Sequence, residues 1–222
     1  MPDGRKGRKE HHVMELSLTQ FVTLDGVCQA PGGPQEDTSG GFTHGGWSVP
    51  FGDEDFGAFV DSVFDRVDAF LLGRRTYEIF AGYWPKVTDP DNPVATKLNS
   101  LPKYVASRTM ERTDWAGAEL LRGDLVAEVT ALKQRPGREL QMHGSGNLAR
   151  SLLAHGLIDT LYLLTFPVLL GTGKRLFSAD VQPTGLRLTD SRVTGSGIVI
   201  GTYRNAGAPR YGDYSERAAS AQ

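Results

Sequence analysis

The chain has one cysteine, Cys28, so it can form no internal disulfide and has no group of thiolates to hold a metal. Cys28 is expected to be a small, half-buried residue. No apolar run approaches the roughly 20 residues needed to cross a bilayer. The basic start, Met1 to His12, is not followed by the apolar stretch of a secretory signal. Neither sign of charge dominates, since 24 Lys and Arg stand against 26 Asp and Glu for a formal net charge of −2. That balance favours neither a nucleic-acid partner nor an anionic membrane. A cytoplasmic protein acting on a small molecule is the expectation. The chain shows no internal repeat.

Glycine is abundant, at 27 of 222 residues, well above the usual share of roughly 7%. Such a content implies many tight turns, or backbone that a ligand approaches closely. The length suits one domain with a proper core. Residues 1–13, with Arg5, Lys6, Arg8 and Lys9, are expected to be a disordered tail, and Met14 is a candidate start. The domain is expected over 14–205, and the small and polar residues from Ala206 predict a flexible tail over 206–222.

Between the tails the apolar segments change period. Leu16–Leu24 alternates as a strand does, and 32–51 is a long loop rich in Gly and Pro. Phe56, Phe59, Val60, Val63 and Phe64 fall on one helix face. Strands are expected at Ala69–Leu72, Lys103–Ala106, Glu119–Leu121, Glu139–His143 and Asp159–Leu170. Helices are expected at Arg75–Phe80, Leu125–Gln134 and Leu148–His155, the last stopped by Gly156. Leu186–Val193 and Gly197–Tyr203 form a closing hairpin. This order predicts an α/β fold with a mostly parallel central sheet, an antiparallel C-terminal hairpin and helices on both faces.

Three turns after strands have the chemistry to hold phosphate. In the first, Gly73, Arg74, Arg75 and Thr76 pass from strand to helix, where unpaired N–H groups, the helix dipole and two guanidinium groups attract an anion. An ordinary βα turn with an exposed arginine pair would look the same. In the second, Gly144 and Gly146 allow close backbone approach, Ser145 or Asn147 is placed to cap the helix, and Leu148 follows. A full dinucleotide fingerprint would carry a third glycine where Ala149 or Arg150 stands, so a true Rossmann domain is disfavoured. In the third, Ser107 and Arg108 end a strand with groups that suit a 2′-phosphate.

With these segments and the opening Thr23-Leu24-Asp25-Gly26, the chain resembles the dihydrofolate reductase superfamily. It resembles most its stand-alone relatives of the RibD C-terminal reductase domain, over about 14–204. The string Gly73-Arg74-Arg75-Thr76-Tyr77-Glu78 is the most diagnostic part. The resemblance implies a dihydrofolate-reductase-like three-layer fold, a homodimer, and NADPH extended across the carboxyl edge of the sheet. By position, Arg74, Ser107 and Arg108 would face the 2′-phosphate. Gly73, Arg75 and Thr76 would hold one side of the pyrophosphate, and Gly144, Ser145, Gly146, Asn147 and Leu148 the other. Thr23, Leu24 and Gly26 would line the nicotinamide.

The implied activity is hydride transfer to a small pterin- or pyrimidine-like heterocycle, as in 5-amino-6-(5-phosphoribosylamino)uracil reductase of riboflavin biosynthesis. Such chemistry belongs to the cofactor and needs neither nucleophile nor metal. Asp25, Asp55 and His143 are candidate proton donors, beside an ordered water. Trp47, Phe51 and Phe56 are candidates for an apolar lid on a planar ring, and Lys174 and Arg175 for holding a substrate phosphate. The chain departs from the family where an acidic residue usually precedes the second glycine turn, for Met142-His143 stands there. A non-catalytic NADPH-binding or sensor module is the alternative, and a ligand-free structural dimer a further one.

Overall fold

β1 (Glu15–Thr23) carries the organising pattern. Leu16, Leu18 and Val22 enter one buried cluster, while Phe21 packs in another on the opposite side of the sheet. That alternation is what a strand covered on both faces requires. The computed structural model describes residues 13–177 and 181–213. Of the expected tails, 1–12 and 214–222 lie outside those residues.

After β1 come α1 (Glu54–Phe64), β2 (Val67–Gly73), α2 (Arg74–Tyr83), α3 (Pro93–Ser100), β3 (Lys103–Ala106) and β4 (Ala118–Leu121). Then follow α4 (Leu125–Lys133), β5 (Glu139–His143), α5 (Gly146–Ala154), β6 (Thr160–Phe166), β7 (Leu186–Val193) and β8 (Val199–Asn205). The strands form one eight-stranded sheet in the order β4-β3-β2-β5-β1-β6-β8-β7. Pairing is parallel from β4 to β6, and the β6–β8 and β8–β7 pairs are antiparallel. The expected α/β architecture is therefore present, with α4 and α5 packed on one face and α1, α2 and α3 on the other.

The helix face expected on α1 is real: Phe59, Val63 and Phe64 are buried, and Asp53 caps the helix by accepting from the Phe56 N–H at 2.8 Å. Burying such a side chain contributes on the order of 2 kcal/mol, which helps fix α1 over β1, β5 and β6. Gly156 stops α5 as expected, at a φ of +64°.

Several elements depart from the expected ones beyond shifts of a few residues at their ends. The apolar run from Asp159 leaves the sheet after Phe166 because Pro167 has no N–H for the ladder. α3 has no clear apolar period in sequence, yet Asn92 caps it, Pro93 opens it and Ala95 and Leu98 are buried. Val13, assigned to the first tail, bridges Pro136. The second tail begins later than 206, since Gly185 exchanges backbone bonds with Ala206 and Gly207.

Candidate active site

β3, β2 and β5 are neighbours in the sheet, so the turns after them emerge side by side at its carboxyl edge. Ser145 joins two of them. Its hydroxyl accepts from the Gly73 N–H at 2.9 Å and donates to Thr76 Oγ1 at 2.8 Å. Gly144, with φ +62°, and Ser145, with φ +59°, both take the left-handed conformation that turns the chain back onto α2. A Cβ on Gly73 would come 3.2 Å from the Ser145 hydroxyl, so glycine there lets the two helix starts approach. The N-termini of α2 and α5 thus converge, and their unpaired N–H groups and dipoles make a site for phosphate.

Side-chain capping of α5 was expected from Ser145 or Asn147, and neither provides it. Ser145 is engaged with α2, while Asn147 Oδ1 accepts a short bond from Arg150. At the third turn Ser107 accepts from the N–H groups of Thr109 and Met110, which leaves its own proton to donate. Arg74 spans the turns by bonding Thr109 Oγ1 at 2.7 Å while pairing with Glu78. Arg75 also lines the cleft and pairs there with Asp37 at 2.9 Å.

One cleft of about 1240 Å³ runs past all three turns, and Arg108, Gly146 and Leu148 line it as well. That exceeds the roughly 300–1,000 Å³ of ordinary ligand pockets, leaving room for a dinucleotide and a second ring. The cleft continues beneath α1 as an apolar slot walled by Phe21, Phe56, Phe59, Val60, Val63 and Phe64. His143 and Thr19, register partners on β5 and β1, also line it. The His143 ring stacks on Phe64 with centroids 4.8 Å apart. Its burial holds the imidazole down to about 4, against a weaker upward pull from Glu139, so it is neutral at pH 7.

Two buried polar atoms on β1 have no hydrogen-bond partner: Thr19 Oγ1 and Gln20 Oε1. Both residues line the cleft, though only 6% and 3% of their surface is exposed. Leaving such groups unpaired costs about 1–3 kcal/mol each, and a ligand in the cleft would relieve that cost. Two consecutive polar residues inside a buried strand were the sequence signal for them, and it went unread. Asp37 was missed too. Burial pushes its carboxyl up, but bonds from Lys174 and Ser39 outweigh that and hold it at about 2. It ties the 32–51 loop to Arg75 and Lys174 across the mouth of the cleft.

Several expected site residues lie elsewhere. Asp25 shapes a turn by accepting from Thr23 Oγ1 and from the N–H groups of Leu170 and Gly171, and it pairs with Arg175. The Thr23 bond above all holds its carboxyl at about 2, so it cannot serve as an acid near neutrality. Thr23, Leu24 and Gly26 belong to the same turn and do not line the cleft, Leu24 being exposed to solvent. Cys28, Gln29 and Ala30 line it in their place.

Asp55 accepts from the Gly195 N–H at the hairpin turn, away from the cleft. Trp47 and Phe51 pack edge-on against Phe166, and the Trp47 N–H donates to the Gln29 carbonyl. Trp47 is a core residue and Phe51 is partly buried against the same cluster, and neither lines the cleft. Of the proposed aromatic group only Phe56 reaches the cleft, and of the proposed phosphate pair only Lys174 does. Among the described residues there is no cluster of metal ligands, and no helix is long and apolar enough to cross a membrane.

Comparison with known proteins agrees with this fold. A profile of the RibD C-terminal domain matches residues 15–200. The Bacillus subtilis (strain 168) protein YyaP is 31% identical over 186 residues, covering 83% of this chain and 91% of its own. A pyrimidine reductase-like protein from Corynebacterium diphtheriae has the same fold, with a TM-score of 0.61 at 17% identity, covering 86% of this chain and 92% of that one. Dihydrofolate reductase from Enterococcus faecalis, solved with NADP(H), gives a TM-score of 0.55 at 13% identity, covering 86% of this chain and 96% of that one.

Proposed function

Because the chain belongs to the RibD C-terminal domain family, we propose that it is an NADPH-dependent reductase of a small pterin- or pyrimidine-like heterocycle. The observation that carries this reading is one continuous cleft with a phosphate cradle at one end and a flat aromatic slot at the other. The residues present fit the cofactor. The converging starts of α2 and α5, pinned by Ser145, suit a pyrophosphate. Arg74, Ser107 and Arg108, gathered at one edge, suit the 2′-phosphate that separates NADPH from NADH. Bound there, the cofactor supplies the hydride.

The protein's part is positioning and exclusion of water. Phe56, Phe59, Val60 and Val63 form apolar walls against which a planar ring can lie. Neutral His143 accepts or donates a hydrogen bond but holds no spare proton at pH 7. With Asp25 and Asp55 turned away, the proton comes from solvent at the cleft mouth. Of the expected Lys174–Arg175 pair, Lys174 lines the cleft and, paired with Asp37, would receive a substrate phosphate such as the riboflavin-type pyrimidines carry.

Titration of NADPH and NADH into wild type and Arg74→Ala tests the cofactor assignment. The variant should bind NADPH about tenfold more weakly, a loss of about 1.4 kcal/mol, and change little toward NADH. Equal losses for both would defeat it. NADPH that binds but is never oxidised by pteridine or pyrimidine probes would favour the non-catalytic alternative.

A further inference from the structure

A chain of buried polar groups leads under α1 to the slot. Glu139 Oε1 accepts from Arg66 Nε at 2.8 Å and from the Tyr162 hydroxyl at 3.1 Å. Its Oε2 accepts from Ser17 Oγ at 3.0 Å and from Gln141 Nε2 at 2.9 Å. Gln141 Nε2 also donates to the Val63 carbonyl at 2.7 Å. Both amide protons of Gln141 are therefore committed, and its Oε1 is the atom that meets His143 Nε2, at 3.2 Å. A carbonyl oxygen only accepts, so Nε2 carries the ring's proton and Nδ1 keeps a lone pair. Burial holds the ring neutral, so this tautomer persists at pH 7.

Thr19 stands next to His143 across the β1–β5 register. Its strand neighbours Ser17 and Phe21 face α1 and Glu139, through the Ser17–Glu139 bond and the Phe21–Phe56 ring contact, so Thr19 shares that face. Its hydroxyl is free both to donate and to accept. Both residues line the slot, within walls of Phe and Val, so a ligand there meets one nitrogen that can only accept and one unpaired hydroxyl on neighbouring strands. Among the described residues, no carboxylate that lines the cleft lies on β1, β5 or α1.

We infer that Thr19 and His143 read a neutral lactam edge of the bound ligand, the ring N–H donating to His143 Nδ1 and the adjacent C=O accepting from the Thr19 hydroxyl. Glu139 and Gln141 are positioning residues that set the His143 tautomer. This assignment rests on the reductase reading and adds to it the residues that read the ring: Thr19 and His143 favour an unprotonated amide edge over a protonated diamino ring, which would pair with a carboxylate. An amide is also part of the nicotinamide, so the two sources must be told apart by experiment.

The test uses the full-length protein saturated with NADPH, with 2,4-dihydroxypteridine as probe and its 1,3-dimethyl derivative, which has no ring N–H, as control. Wild type should bind the parent ring about tenfold more tightly than the methylated one, His143→Phe should erase most of that difference, and Thr19→Val should weaken both rings severalfold. NADPH affinity should be the same in all three proteins. Nitrogen-15 NMR should find the His143 proton on Nε2 in wild type and a mixed tautomer in Gln141→Met. Equal affinity for the two rings in wild type would overturn the inference, as would no binding of the parent ring or a proton on Nδ1. A Thr19→Val loss confined to NADPH would assign the pair to the nicotinamide and also overturn it. Failure of NADPH itself to bind wild type would instead remove the reductase reading.

Discussion

At the carboxyl ends of β2, β3 and β5 the cleft is lined by glycine turns, exposed guanidinium groups and two helix N-termini. Beneath α1 it is lined by phenylalanine rings and a few neutral polar atoms. The first end offers charge and backbone amides, groups that would suit any dinucleotide phosphate under the proposed function. The second has mostly apolar walls, and if its polar atoms have the roles inferred above, a wrong ring would leave them unpaired at a cost of about 1–3 kcal/mol each. The proposed function thus separates general recognition from selection along one groove.

The largest effect should come from breaking the support of the selective end. Glu139 accepts four hydrogen bonds, one from the Arg66 guanidinium. Glu139→Leu should lower stability by about 3 kcal/mol, because the Ser17, Gln141 and Tyr162 donors lose their buried acceptor while Arg66, 42% exposed, keeps water. Urea unfolding measures this, and a loss below about 1 kcal/mol would mean that the network is not structural. NADPH affinity of the folded fraction should stay the same if the two ends are independent.

An intermediate effect is expected from pH. Unfolded, His143 takes up a proton near its ordinary value of 6.5, while in the fold it does so only near 4. Between those values the unfolded chain binds more protons, so the stability that His143 contributes is whole above 6.5 and is lost as pH falls toward 4. The loss should be on the order of 2 kcal/mol. Denaturation at pH 7 and at pH 4.5 should show it in wild type and not in His143→Gln. Identical pH slopes would contradict the burial of this ring.

The smallest effect should come from the phosphate end. Ser145→Ala removes the acceptor of the Gly73 N–H and the donor to Thr76. Stability should fall by about 1 kcal/mol, while NADPH binding weakens severalfold because the starts of α2 and α5 are no longer tied. Calorimetry reads both quantities. Weaker binding of the pteridine probe with unaltered NADPH affinity would invert the comparison.

The two ends also differ in how visible they are in the sequence. Gly73, Arg74, Arg75 and Thr76 are contiguous, and so are Gly144 to Leu148, so a local pattern was enough to find them. The adjacency of those turns is a property of the sheet order, which strand and helix alternation restricts without determining. In the slot, Thr19, His143, Gln141 and Phe64 come from three separate elements, and only the β1–β5 register brings them together. Asp25 looked catalytic because its partners Thr23, Leu170, Gly171 and Arg175 are mostly distant in sequence. Trp47 and Phe51 looked like a lid because nothing local announces Phe166 as their packing partner. The helix α3 was invisible for a related reason: its stability rests on Asn92 and Pro93 at the start and on burial of Leu98, not on an apolar stripe.

The most direct test of the account is a crystal structure of the protein with NADPH. The account predicts the pyrophosphate between the starts of α2 and α5, the 2′-phosphate within hydrogen-bond distance of Arg74 or Arg108, and the nicotinamide facing the slot beside His143. A dinucleotide bound on another face, or one that leaves the three turns untouched, would contradict it.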